Sequence, residues 1–97
     1  MLTLDEYVGE QLKDPDFAKE WEVAQQEMEI MLAVYEARTS KNLTQEELAE
    51  KVGISKATIN RIETGMQDPS IKTLQKIAKA LDMKLKISFV PKTSRAS

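Results

Sequence analysis

Gln45-Glu46-Glu47-Leu48-Ala49-Glu50-Lys51-Val52-Gly53-Ile54-Ser55-Lys56-Ala57-Thr58-Ile59-Asn60-Arg61-Ile62-Glu63-Thr64 is the stretch that decides the fold. Thr44, with Glu47 three residues later, makes a capping box that opens a helix. That helix is expected to end at Gly53, which is free to take the positive φ of a tight turn. Ser55 caps a second helix that runs to about Thr64 and stops at Gly65. Two short helices crossing at a steep angle need a small residue at their closest contact, and Ala49 supplies it. Apolar Leu48, Val52, Ile54, Ile59 and Ile62 then lie on the inward faces. Ala and Gly at these spacings would also suit a plain αα-hairpin in a helical bundle. Their conjunction with the apolar set, the Ser55 cap and the flanking capping box is the pattern of a helix-turn-helix.

On the second of these helices Ser55, Lys56, Thr58 and Arg61 remain outward, with small Ala57 beside them. A helix exposing short polar and basic residues can enter the major groove and meet base edges.

Upstream, Thr3 with Glu6 forms another capping box, predicting a short helix from Leu4 to about Leu12. Asp14-Pro15 restarts the chain, with Asp14 as N-cap and Pro15 at the first helical position. From there Phe17, Trp21, Ala24, Met28, Met31 and Tyr35 recur at spacings of 4, 3, 4, 3 and 4, a stripe along one side of a long helix. A second stripe, Ile30, Val34 and Ala37, starts late in the same helix, so its C-terminal half has two apolar faces. Asn42, which tolerates positive φ, marks the stop.

Downstream, Asp68-Pro69-Ser70 starts a further core helix carrying Ile71, Leu74, Ile77, Ala78 and Leu81. The period then changes from 3.6 to 2: Lys84-Leu85-Lys86-Ile87-Ser88-Phe89 alternates polar and apolar, the pattern of a half-buried strand that Pro91 ends. A lone strand is unsatisfied on both edges. Pairing with the same strand of a second copy is expected to give a two-fold homodimer with Leu85, Ile87 and Phe89 on the buried face. Such a dimer sets two recognition helices roughly 34–36 Å apart on a palindrome. The expected organisation is an acidic helical arm at 1–29, a DNA-binding domain at 30–82, a dimerising strand at 83–91 and a flexible tail at 92–97. The fold class is all-α.

Composition bounds the function. With 97 residues the chain allows one compact domain with an arm. It has no Cys, hence no disulfide framework or thiolate zinc site, and no His, the commonest metal ligand and neutral-pH acid/base group. No apolar run approaches the ~20 residues needed to cross a bilayer. The start lacks the basic region of a signal peptide, so a cytoplasmic location is expected. The carboxylates lie on amphipathic faces with no partner to complete a catalytic site. Neither an enzyme, a cofactor, a metal nor a small-molecule ligand is expected.

A net charge of −2 argues at first against nucleic acid. The sum hides a division. Residues 1–36 carry two lysines against ten acids, a net −8, and residues 37–97 carry twelve bases against six acids, a net +6. An acidic arm joined to a basic body suggests two partners of opposite charge, unless the acids simply solvate a helix face.

The segments 43–55 and 59–65, with Asp68-Pro69-Ser70-Ile71-Lys72-Thr73-Leu74 after them, resemble the phage-repressor-like, xenobiotic-response-element (XRE) family of helix-turn-helix domains. The resemblance covers roughly residues 30–82. It implies that Thr44 and Gln45 at the start of the first motif helix, and Ser55 at the start of the second, hold DNA phosphates. It implies that Lys56, Ala57, Thr58 and Arg61 face base edges, with Asn60 also on the DNA-binding helix but at a phase that can point it sideways. Lys56 and Arg61 suit guanine; Ala57 and the Thr58 methyl suit thymine. Asn42 and Asp82 stand where this family usually has Gly, and both tolerate positive φ. Met66-Gln67-Asp68 lacks the basic residue common after the recognition helix, which removes an expected phosphate contact.

Adding the arm segment 14–21 and the alternating segment 84–89, the chain resembles the HigA-type antitoxins of type II toxin–antitoxin pairs. That resemblance implies a small basic ribonuclease toxin of the RelE/HigB type as partner, with Phe17, Glu20, Trp21, Glu27, Met28 and Tyr35 contacting it. It also implies repression of the shared operon by binding double-stranded operator DNA. A stand-alone XRE-type regulator and a purely structural interaction module are the alternatives.

Overall fold

The computed structural model describes residues 3–91, which form five helices. These are α1 (Leu4–Gln11), α2 (Pro15–Ser40), α3 (Gln45–Val52), α4 (Lys56–Glu63) and α5 (Ile71–Ala80).

Each helix starts where a side chain can satisfy its orphan N–H groups. Thr3 and Glu6 close a reciprocal capping box on α1, with bonds of 3.1 and 3.3 Å. The Asp14 carboxylate accepts the Asp16 N–H at 2.9 Å, and Pro15 opens α2. Thr44 and Glu47 repeat the capping box on α3, while Ser55 and Ser70 cap α4 and α5. The stops are equally local. Asn42 (φ 57°), Gly53 (φ 84°), Gly65 (φ 78°) and Asp82 (φ 56°) all take the left-handed region. Asn42 and Asp82 thus turn the chain after their helices in a conformation that glycine adopts most readily. Gly65 has a second constraint: a Cβ there would stand 2.7 Å from the Met31 sulfur.

Val34 from α2, Leu48 and Ala49 from α3, Ile59 and Ile62 from α4, and Ile77 and Leu81 from α5 and its cap form the buried core. Ala37, Leu43, Val52, Ile54, Leu74 and Ala80 pack around it. α4 packs against both α2 and α3, and α3 also packs on α5. Ala49 is buried in this core, as its role as the small contact residue requires. Ile71, expected in the core, is exposed at the first turn of α5.

The arm differs. α2 has 26 residues, about 39 Å of helix at 1.5 Å per residue, and its buried residues, Val34 and Arg38, lie in its C-terminal half. None of α1 is buried. No helix among the described residues is long and apolar enough to cross a membrane.

The strand expected over 84–89 is not formed. Residues 83–91 have no regular secondary structure, and no strand exists among the described residues. A strand exists through its ladder, and every other described element is helical, so none of the described elements can pair with this segment. Nor do the three apolar residues of the alternation share one face. Leu85 is half-buried in a cleft with Ala33, Val34, Leu74 and Ile77, whereas Ile87 and Phe89 face solvent. The tail expected at 92–97 lies outside the described residues.

Candidate nucleic-acid interface

The cap at Ser55 fixes the start of α4 and with it the phase of its outward residues. Ser55 Oγ accepts the Thr58 N–H at 3.0 Å and lies 2.8 Å from Thr58 Oγ1. Lys56, Ala57, Asn60 and Arg61 are exposed, and Thr58 is half-buried. Arg61 does not hang free. Its Nε donates to Gln67 Oε1 at 3.0 Å and its Nη2 to Thr58 Oγ1 at 3.3 Å. Ser55, Thr58, Arg61 and Gln67 therefore form one hydrogen-bonded chain along the outer side of α4.

A second chain joins α4 to the start of α3. The Thr44 hydroxyl is engaged with the Glu47 N–H, and Gln45 opens α3 half-buried. Gln45 Oε1 accepts from Asn60 Nδ2 at 3.3 Å, and Gln45 Nε2 donates to Glu63 Oε1 at 3.1 Å. Asn60 thus turns toward α3, onto the flank of the outward face. The structure brings Gln45 together with Asn60, and Ser55 together with Thr58 and Arg61. Lys56 and Ala57 stand exposed in the first turn of α4.

Beneath these side chains sits a pair that the sequence reading did not single out. Arg38 and Glu63 meet side-on, Nε to Oε2 at 2.8 Å and Nη2 to Oε1 at 2.9 Å, with side chains only 11% and 4% exposed. Arg38 Nη1 also donates to the Leu43 carbonyl at 2.7 Å, so the buried charge is satisfied on several sides. The Glu63 bond holds Arg38 above its ordinary pKa despite the opposing effect of burial. The signal was present. Arg38 continues the Ile30–Val34 stripe by another four residues, and Glu63 follows Ile59 by four; a charge on a buried stripe calls for a partner.

The expected protein-contact residues lie on α2. Phe17 and Trp21 are half-buried and stack on each other, rings 6.1 Å apart and 15° from parallel. Glu20 and Glu27 are exposed, Met28 is 51% exposed, and Tyr35 is 48% exposed with the Arg38 guanidinium 5.3 Å from its ring centre. Exposed Leu32 extends this apolar surface and was not singled out from the spacing.

The helix-turn-helix family HTH_3 matches residues 34–87. An uncharacterized HTH-type transcriptional regulator of Methanocaldococcus jannaschii is 49% identical over 53 residues, covering 55% of this chain and 80% of the relative. Antitoxin HigA1 of Mycobacterium tuberculosis is 31% identical over 90 residues, 92% of this chain, which spans 60% of that relative's length. Among solved structures, an HTH_3 family transcriptional regulator from Vibrio cholerae aligns with a TM-score of 0.58 and 34% identity, over 60% of this chain and 33% of that one. The matched span contains the whole α3–turn–α4 unit, its core and its Arg38–Glu63 pair. By that span the chain belongs to the HTH_3 helix-turn-helix family, among the HTH-type transcriptional regulators.

Proposed function

We propose that this protein is an antitoxin and autorepressor: its body binds operator DNA and its acidic arm holds a small basic toxin. The observation that carries the DNA half is the outward face of α4, where exposed Lys56, Ala57 and Arg61 stand beside Thr58, over a core that fixes the helix. In this reading Lys56, Ala57, Thr58 and Arg61 meet base edges and Asn60, bonded to Gln45, approaches the DNA from the flank, while Thr44, Gln45 and Ser55 lie against phosphates through helix-start N–H groups. A salt series of operator binding tests it. Log affinity should fall linearly with log salt, and a random duplex should bind about a thousandfold more weakly or worse. Equal affinity for both duplexes rejects sequence-specific repression.

The toxin half is supported by the likeness to Antitoxin HigA1, which extends through the arm, and by the apolar surface that the body leaves uncovered. Phe17, Trp21, Met28 and Tyr35 would anchor the partner and Glu20 and Glu27 would meet its basic rim. Isothermal titration against the product of a neighbouring basic reading frame, with a chain beginning at Met28, checks this. Undiminished affinity of the shortened chain rejects the arm as the contact. Leu85, Ile87 and Phe89 are proposed to dimerise the protein, with residues 84–89 pairing with their counterpart in a second copy. Phe89, at 102% exposure, has no cover among the described residues. A chain lacking residues 84–97 should sediment as a monomer, and a persisting dimer rejects this surface.

A stand-alone regulator is the second reading. It is favoured by the archaeal relative, whose likeness is confined to 53 residues of this chain. A neighbouring frame that neither binds this protein nor poisons growth decides for it.

A further inference from the structure

We infer that Gln67 is a positioning residue for base recognition: it holds the Arg61 guanidinium so that its far edge is presented to a guanine. The inference rests on the DNA-binding reading and adds to it a residue outside the recognition helix. Gln67 stands in the loop between α4 and α5, six residues beyond Arg61. That loop is tied to Arg61 twice over. The N–H groups of Met66 and Gln67 both donate to the Arg61 carbonyl, at 2.8 and 3.2 Å, and Gln67 Oε1 accepts from Arg61 Nε at 3.0 Å. The return is made possible by the positive φ of Gly65, which is packed over the Met31 sulfur.

The guanidinium carries five N–H donors. Gln67 takes the one on Nε, and Thr58 Oγ1, itself 2.8 Å from Ser55 Oγ, takes one on Nη2. Both donors on Nη1 and the second on Nη2 have no partner among the described residues. One donor from each of Nη1 and Nη2 makes up the end-on edge, which can bond guanine O6 and N7 together. An arginine without such a hold samples many rotamers and answers equally to phosphates; one held beforehand loses less freedom on binding and favours a single acceptor pair. The hold also gives the Met66-Gln67-Asp68 loop a role despite its lack of a basic residue. Its contribution passes through Arg61 rather than to the DNA backbone.

The test is in vitro selection from a random duplex library with the full chain, in parallel with Arg61→Ala, Gln67→Ala and Gln67→Glu, each checked by thermal melting. Wild type should enrich a half-site containing a guanine whose preference disappears in Arg61→Ala. Gln67→Ala should melt like wild type and keep the other preferences, while the preference at that guanine falls about fivefold or more. Gln67→Glu keeps an acceptor in place, so it should retain the guanine preference while binding all duplexes more weakly through its added negative charge. An unchanged guanine preference in Gln67→Ala overturns the inference and leaves the DNA reading standing. So does a uniform loss at every position with a lowered melting temperature. A guanine preference that survives in Arg61→Ala overturns it as well. No enrichment by wild type overturns the DNA reading and this inference together.

Discussion

One helix, α2, runs through two regions with opposite physics. Its C-terminal half gives Val34 and Arg38 to a closed core and a satisfied ion pair, whereas its N-terminal half buries no residue and leaves Val23 about half exposed. Apolar periodicity is present in both halves. What separates them is the availability of a partner element. α4 packs against α2 in the body, and both buried residues of α2 lie in its C-terminal half. A stripe in a sequence therefore says that a face wants cover, not who provides it. The acids cluster on the half without cover, which keeps an apolar surface soluble and gives it a sign that a basic partner can meet.

The sharpest break of this comparison is Glu63→Ala. It strands Arg38 inside the body and removes the anchor of Gln45, and should cost about 3–5 kcal/mol in urea denaturation. Arg38→Met added to it should recover part of the loss, since no buried charge is then left alone. A cost below about 1 kcal/mol for Glu63→Ala would mean that the pair is solvated rather than structural.

Next in size is a paired truncation. Ile59→Ala empties a fully buried site and should cost about 2–5 kcal/mol. Met28→Ala, on the exposed stripe of the same protein, should change stability by less than about 0.5 kcal/mol. Similar costs at both positions would show the arm folded into the body's cooperative unit. Starting the chain at Met28 asks the same question on a larger scale. The melting temperature should then move by less than about 4 °C, the shift expected for 1 kcal/mol in a domain of this size.

The body was legible in the sequence because its signals are local. Thr44 with Glu47, and Ser55 or Ser70 ahead of their helices, declare helix starts within four residues; Asn42 and Asp82 take positive φ where glycine would otherwise stand. For Arg38 and Glu63 the stripes signal only that each needs a partner; that they pair with each other was not legible, because they lie 25 residues apart and ordinary surface helices carry many such charges. Gln67 was passed over for a related reason: a loop glutamine gains meaning only when its target, Arg61, is seen beside it. The alternation at 84–89 predicts a strand, but Leu85, Ile87 and Phe89 share a face only if the ladder forms. Forming the ladder needs another extended segment, and α1 to α5 supply none.

The smallest effect contrasts two copies of one local device. Thr44–Glu47 and Thr3–Glu6 are both capping boxes, one on the body and one on the arm. Glu47 bonds the Thr44 N–H at 2.8 Å, and that bond, with the Thr44 hydroxyl, holds its carboxyl below the ordinary carboxylate range. A depressed folded-state pKa adds stability that is fully present above the unfolded value, near about 4.3, and is lost as pH falls through the folded one. Glu47→Gln keeps the hydrogen-bonding shape of the box but cannot titrate. Its melting temperature should therefore fall less steeply than wild type on acidification below about pH 4.3. Glu6→Gln should leave the body's melting curve unchanged at every pH, because α1 contributes no buried residue. A response of the body to Glu6→Gln would tie α1 to the core and erase the distinction between the two halves of α2.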